Sequence, residues 1–443
     1  METDVCVVGA GLAGLAAARA VVAAGRDAIV LEARDWVGGR TLNHVLADGS
    51  VVEVGGQWAG PTQTRVLALA EELGVETFPT YDEGDNIIEW RGRLKRYRGA
   101  IPRINPAILL DTLRVQKKLE RLACSVPTES PWTAPNAREL DGQTFHTWLK
   151  RTCRTSGTYT IFEMGCEAVW AAEPHDVSLL HVLFYIHSAG SFDDLIGTAG
   201  GAQDRRFVGG SQRIALGMAE QLGERVLLSR PVRRIVHAAD GVTVEDVRER
   251  RVIVALPPAL TPRIDFAPAL PGFRDQLVQR MPQGTVWKCM AVYDEPFWRA
   301  DGLSGQATSD AGPVRVAFDN SPPSGTPGVL LGFLEGDFAR QAGRLTPEDR
   351  KAQIIDSFGR LFGDRARHPI DYVEKSWAEE EWTRGCYGCA MTTGAWTSFG
   401  EALRAPIGPI HWAGAEYATT WSGYMDGAVR SGESAAAEAL AAL

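Results

Sequence analysis

Three stretches of the chain hold residues whose type and spacing can do chemistry. In "RGCYGCAM", Cys386 and Cys389 stand in a C-x-x-C spacing. That pattern serves a redox dithiol, half of a zinc site, or ordinary packing. A zinc site needs two more ligands at matching spacing, and no second C-x-x-C or nearby histidine pair supplies them. A redox dithiol would favour a helix N-terminus to lower one thiol's pKa, and nothing around the pair reads as that turn. Lys288 sits inside "GTVWKCMAVY", an ammonium in an apolar, strand-like run; a lysine buried there is expensive unless it is used or paired. Near the N-terminus, "GAGLAG" sets Gly9, Gly11 and Gly14 in a G-x-G-x-x-G pattern, which lets backbone approach a phosphate.

The elements around that loop decide its meaning. "DVCVVG", Asp4 to Gly9, is a β-branched run of strand length, and "LAAARAVVAAG" after the glycines predicts a helix ending at Gly25. "DAIVLE" predicts a second strand finishing at Glu32, where a carboxylate can accept from ribose hydroxyls. Strand, glycine loop, helix, strand and acid together place a pyrophosphate on the positive end of a helix. Gly38-Gly39-Arg40 and Gly55-Gly56 follow, more glycine than a carrier that must leave requires. They suit a dinucleotide that stays bound and is wrapped by further backbone.

Composition removes other classes. The chain has 443 residues, long enough that two domains are the default expectation. A net charge of −9 argues against nucleic-acid binding. The longest apolar runs, "VIVALPPAL" and "AAAEALAAL", are short of the ~18 residues of a membrane span. "METDVCVVGAG" has no basic start, so no secretory signal is expected. The seven scattered cysteines do not form a disulfide framework, and the eight histidines show no metal-ligand spacing. The expectation is a reduced, cytoplasmic protein that holds no metal and makes no contact with membrane or nucleic acid.

From "VVGAGLAGL" to "WSGYMDGAVRSGE", through "GGRT", "GPTQTRVLALAEELGVET", "RFVGGSQ", "VALPPAL", "FAPALP" and "EPFWR", the sequence resembles the flavin amine oxidases, most closely the flavin monoamine oxidases. The resemblance implies an α/β (α+β) architecture: a Rossmann-like FAD-binding domain from residues 1–79, 205–284 and 378–443, interleaved with a mixed substrate-binding domain from 80–204 and 285–377. Residues 80–203 read as helix-like, and "RVIVALPP" as a buried strand stopped by Pro257-Pro258. Gly9, Gly11, Gly14, Glu32, Arg34, Gly39, Arg40, Gly56, Gln57, Val232 and Trp377 are expected at the cofactor. So are Ala415 and Glu416 in a flavin-contacting turn, and Met425 opening a helix aimed at the flavin.

The implied reaction is oxidative deamination of a primary or secondary amine. A hydride equivalent passes from the α-carbon to the flavin, the imine hydrolyses to aldehyde or ketone plus ammonia, and dioxygen is reduced to hydrogen peroxide. The cofactor carries the difficult step, so the protein must position, desolvate and exclude water. Tyr387 and Tyr424 match the family's paired tyrosines flanking the path to the flavin, and Lys288 its lysine near the flavin, held to assist reoxidation. Ile196, Gln203, Val316 and Phe318 match pocket positions; a valine at 316 suits bulky arylalkylamines, and residues 161–171 should line the entrance. Cys386 falls where mitochondrial relatives carry a flavin thioether. A covalent tether there is the favoured reading, Arg384 in place of the family's glycine being the departure. A diamine or polyamine oxidase is the alternative, with Glu163, Glu167 and Glu173 at the entrance for a distal ammonium. A flavin desaturase or a non-enzymatic FAD-binding module are readings of another class. The partners implied are an amine and dioxygen, with a homodimer as in many relatives.

Overall fold

The protein is described by a computed structural model covering residues 2–99, 101–238 and 241–443. Strand β1 (Glu2–Val8) turns through Gly9 into helix α1 (Leu12–Ala23) and then strand β2 (Ala28–Leu31). β1 lies parallel between β2 and the strand Val247–Val254. Val5, Cys6 and Val7 are completely buried, as expected of a parallel strand covered on both faces. The eight-stranded sheet runs Val226–Leu227, β2, β1, Val247–Val254, Gly241–Val244, Arg234–Ala238, Asp265–Ala267, with Ile410–Trp412 also pairing with Val247–Val254.

The alanine enrichment has a packing cause. α1 buries Ala13, Ala16, Ala17 and Ala18, while the closing helix Met425–Ala441 buries Ala435, Ala436 and Ala439. The two helices come close enough that a Cβ on Gly432 would lie 2.0 Å from the Ala13 carbonyl oxygen. Small residues on both sides permit that approach, which seats the amino ends of both helices beside one cavity.

A second, seven-stranded sheet runs Asp371–Ser376, Val286–Tyr293, Gly328–Glu335, Val316–Asp319, Leu303–Ser309, Asp85–Trp90, Arg93–Tyr97. Every residue of Val286–Tyr293 and of Gly328–Glu335 is buried. Residues 80–203 do not begin as helix. They open with the hairpin Asp85–Trp90 and Arg93–Tyr97, whose turn places Arg91 and Gly92 at φ 53° and 72°. Two left-handed residues in succession match the right-handed twist of a tight hairpin. Helices follow from Pro106, with Asn105 accepting from the Ala107 N–H at 2.9 Å. The strands of the first sheet come from residues 2–31, 226–267 and 410–412, those of the second from 85–97 and 286–376. The chain therefore crosses between the sheets repeatedly, and the cavity is lined from both.

Candidate active site

A cavity of about 1840 Å³ runs from the glycine loop to the buried face of the second sheet. At its first end, Gly9, Gly11, Leu12 and Ala13 line the wall. Gly9 holds φ +102°, and Gly11 caps α1 without a side chain, so the N–H groups of the first helical turn remain free for an anion. Gly39 stacks on this loop so closely that a Cβ there would lie 3.1 Å from the Gly11 Cα. Glu32, buried at the end of β2, accepts from the Ala10 N–H at 2.7 Å and the Arg34 N–H at 3.0 Å. That fixes a carboxylate with spare acceptor capacity at the wall. Arg34, Gly56 and Val232 line the same end.

Two expected cofactor contacts are placed differently. Gly14 does not line the cavity; its absent Cβ would lie 1.9 Å from the Gly9 carbonyl oxygen, so it allows α1 to pack against its own strand. Glu416 also turns away, although Ala415 beside it lines the wall. Its carboxylate takes both guanidinium nitrogens of Arg40, at 2.6 and 2.8 Å, and the Cys389 N–H at 3.2 Å. Burial works to raise that carboxyl, but Arg40 and the N–H hold it below the usual range. Arg40 in turn donates to the Tyr387 carbonyl at 2.8 Å. This part-buried ion pair, with Glu416 as its buried member, joins the glycine loop to the Cys386–Cys389 segment.

At the other end Lys288 stands in the strand Val286–Tyr293, paired on both sides. Its Nζ donates to the Gly55 backbone carbonyl at 2.8 Å and to the Gln57 side-chain Oε1, and the Gln57 Nε2 donates to the Asn320 Oδ1 at 2.7 Å. Trp58 and Phe333 each present a ring centroid 5.8 Å from Nζ. Burial pulls the ammonium down to about 7, against the opposing pull of Glu53. Trp377 lines the wall and is fixed by its N–H on the Val54 carbonyl at 2.8 Å.

Tyr387 and Tyr424 both line the cavity, as do their chain neighbours Cys386 and Met425, and Ala415. Tyr387 packs edge-on against Phe333 at 6.1 Å and donates to Glu335 at 2.9 Å. Tyr424 packs against Trp421 at 4.9 Å and Tyr185 at 6.0 Å. Burial pushes both hydroxyls above their ordinary pKa, so they remain phenols. Gly423, at φ +82°, has no room for a Cβ, which would meet the Tyr185 hydroxyl at 2.3 Å. Cys386 and Cys389 are both free and buried, but only Cys386 reaches the cavity; burial pushes its thiol up to about 12. Among the described residues no cluster of three or more His, Cys, Asp or Glu is placed to hold a metal, and no helix is long and apolar enough to cross a membrane.

Ile196, Gln203, Val316 and Phe318 line the wider part. Gln203 donates to the Leu195 carbonyl at 3.2 Å, leaving its own carbonyl oxygen without a partner. From the helix Ser156–Trp170, Ile161, Met164, Gly165, Ala168 and Val169 face in. Glu163, Glu167 and Glu173, expected at the entrance, do not. Glu167 turns its carboxylate to Arg315 at 3.2 Å, and Glu173 accepts the Asp337 N–H at 2.8 Å. The helix turns its apolar face to the cavity and its acids elsewhere.

A family model for flavin-containing amine oxidoreductases matches residues 12–440. The chain belongs to that family. A putative flavin-containing monoamine oxidase of Mycobacterium tuberculosis is 46% identical, over 99% of this chain and 97% of its own. Amine oxidase B of Sus scrofa is 38% identical over 100% of this chain and 87% of its own. Among solved structures, wild-type putrescine oxidase bound to putrescine superposes with a TM-score of 0.96 at 37% identity, covering 100% of this chain and 99% of its own. Cyclohexylamine oxidase from Brevibacterium oxydans does so with 0.96 at 34%, over the same shares.

This amine oxidoreductase uses FAD, and the residues present fit it. The uncapped helix end, the glycines packed to backbone contact and the buried Glu32 carboxylate suit the adenine dinucleotide half. Side-chain positions missed by sequence reasoning are Trp58, Tyr185, Phe333 and Glu335, all lining the cavity. Glu335 had a readable signal: it is a carboxylate ending the apolar run "GVLLGFLE", the same anomaly that singled out Lys288.

Proposed function

We propose that this amine oxidoreductase acts on monoamines with a bulky apolar body, aryl- or cycloalkyl-substituted, and deaminates them to aldehyde or ketone. The observation that carries the reading is the facing of Lys288, Tyr387 and Tyr424 into one cavity whose wider part is walled by Ile161, Met164, Ala168, Val169, Val316 and Phe318. Bound FAD would supply the two-electron acceptor for the amine, with dioxygen as the terminal oxidant.

The chain's own groups do the rest. The glycine loop and Glu32 hold the adenosine and pyrophosphate, and the amino end of Met425–Ala441, which no side chain caps, favours negative charge near the flavin ring. Tyr387 and Tyr424 confine the amine to an end-on approach, and the apolar wall favours its neutral, electron-rich form. Lys288 with two N–H groups on Gly55 and Gln57 keeps, when neutral, a lone pair that accepts from a water. Cys386 is the group placed to tether the flavin. We assign the cofactor residues to one interleaved domain, 1–79, 205–284 and 378–443, and the apolar wall to 80–204 and 285–377.

Anaerobic mixing with an amine panel tests this. Benzylamine, phenethylamine and cyclohexylamine are expected to bleach the bound flavin, putrescine and amino acids far less. Bleaching by putrescine faster than by any monoamine would overturn the substrate assignment.

A further inference from the structure

Behind Tyr387 lies a carboxylate that the reading above does not use. Glu335 is buried and lines the cavity wall. Its Oε1 accepts the Tyr387 hydroxyl at 2.9 Å, and its Oε2 is buried without a partner. A carboxylate left half-satisfied in an apolar strand is costly, and a proton on it removes the charge. Tyr387 itself faces the cavity, so its oxygen connects the substrate space to Glu335.

The neighbours leave Glu335 free to change state. Arg315 is the cation on the adjoining strand's approach, but its nearest carboxylate is Glu167, at 3.2 Å. Glu173 and Asp337 lie toward the next helix, joined by the Asp337 N–H on Glu173, and Arg340 is held by Asp337 and Asp176. Lys288 stands across the strand pair from Phe333, two residues before Glu335, and its Nζ is directed to Gly55 and Gln57. Cys386 adjoins Tyr387 and brings no charge to it, whether as a buried thiol held protonated by burial or as a thioether to the flavin. Burial raises Glu335 to about 7, opposed by Tyr387 and Arg315, and Glu167 to about 8.

We propose that Glu335 accepts the proton that an incoming substrate ammonium must lose, working through the Tyr387 hydroxyl. The ammonium nitrogen gives a proton to the phenol oxygen while the phenol's own proton passes to Glu335. Ammonium plus carboxylate becomes free amine plus carboxylic acid; the phenol is restored in the same step and no electrons move. An alkylammonium has a pKa of about 10 in water, as lysine does, and loses part of that stability in an apolar pocket. When product has left, Glu335 gives that proton through the Tyr387 hydroxyl to solvent water, and the carboxylate is restored. The inference rests on the amine-oxidising reading.

The test uses the holoenzyme and cumylamine, a benzylic amine with no hydrogen on its α-carbon, which can be bound but not oxidised. Calorimetric titration in buffers of different ionisation enthalpy counts the protons released per amine bound. Wild type is expected to release about one below pH about 7, where Glu335 already carries its proton, and close to none above it. E335Q and Y387F are expected to release about one across the range, because the relay is cut at either end. A wild-type count that does not change with pH, or equal counts in wild type and in the variants, overturns the proposal. Should E335Q fail to hold flavin, the wild-type profile and Y387F decide. Benzylamine bleaching of the same wild-type preparation is the separate control: if no amine bleaches it, the amine-oxidising reading falls, whatever the proton count.

Discussion

The two ends of the cavity are built in different ways. The dinucleotide end is made of backbone: Gly9, Gly11 and Gly39 lie within a few residues of one another in sequence or in direct stacking, and Gly14 closes the helix beneath them. The amine end is made of side chains from distant elements. Tyr387, Lys288, Glu335 and Tyr185 sit on a loop, two strands and a helix spread over two hundred residues. At Gly9, Gly14 and Gly39 the backbone cradle tolerates little extra, because a new Cβ would lie 3.1 Å or less from a backbone atom. Side-chain walls tolerate substitution but lose alignment. Mutations at the first end should therefore abolish flavin binding, and mutations at the second should leave the flavin bound and slow its reduction.

Gly14→Ala is expected to have the largest effect. Its Cβ would lie 1.9 Å from the Gly9 carbonyl oxygen, and neither α1 nor β1 can retreat without reshaping the phosphate loop. The purified protein should be colourless and fail to take up added FAD, as read from visible absorbance per protein. Full yellow colour in G14A would break the contrast at its stronger end.

Next is the clamp between the two ends. Arg40→Ala leaves the Glu416 carboxylate buried and unpaired, a loss of about 3–5 kcal/mol by analogy with other buried pairs. The drop should appear in the thermal midpoint of the apoprotein, before any cofactor is involved. R40M/E416L together should recover part of it, since replacing both partners removes the orphan charge.

Tyr424→Leu and Tyr387→Leu test the side-chain end. Each is expected to slow flavin reduction by up to about 10²-fold through misalignment of the amine, with flavin content unchanged. Lost flavin with an unaltered reduction rate in the remaining holoenzyme would show that these rings hold cofactor instead. Lys288→Met is smaller and depends on pH. The unfolded chain holds the lysine proton up to the ordinary 10.5, while the folded protein gives it up at about 7. Between those values the unfolded state binds more protons, so wild-type stability rises with pH across that window. Equilibrium unfolding measured from pH 7 to 10 should lose most of that rise in K288M, and the pH profile of flavin reoxidation should lose its inflection near 7.

The same contrast explains what could be read from the sequence. The glycine loop, α1 and β2 were legible because each is local: a period, a turn and an acid within forty residues. The closing helix was legible for the same reason, its start at Met425 marked by Ser422-Gly423. The hairpin at 85–97 was not, because Arg91 takes a left-handed conformation that glycine or asparagine would have advertised. Glu416 and Gly14 were read as cofactor contacts because sequence marks the neighbourhood and not the direction a group faces. Glu167 and Glu173 were misplaced because the apolar face of their helix could be assigned only once the sheet beneath it was known.

Cys386→Ala is the smallest expected change and the sharpest test of how the two ends meet. Cys386 reaches the cavity, but Cys389 does not. The segment that carries both is already fastened by Arg40 and by the Cys386 N–H on the Gly284 carbonyl at 3.0 Å. A thioether would therefore add little to positioning, and C386A should bind FAD and turn over amines within a few-fold of wild type. Acid precipitation separates the cases: wild type should leave a yellow pellet, C386A a colourless pellet under a yellow supernatant. The thiol's raised pKa argues for slow attachment, because the thiolate is the reacting form. Apoprotein mixed with FAD should thus become active before its flavin becomes acid-stable. Simultaneous appearance of activity and acid-stable colour would mean that the tether, and not the backbone cradle, positions the ring.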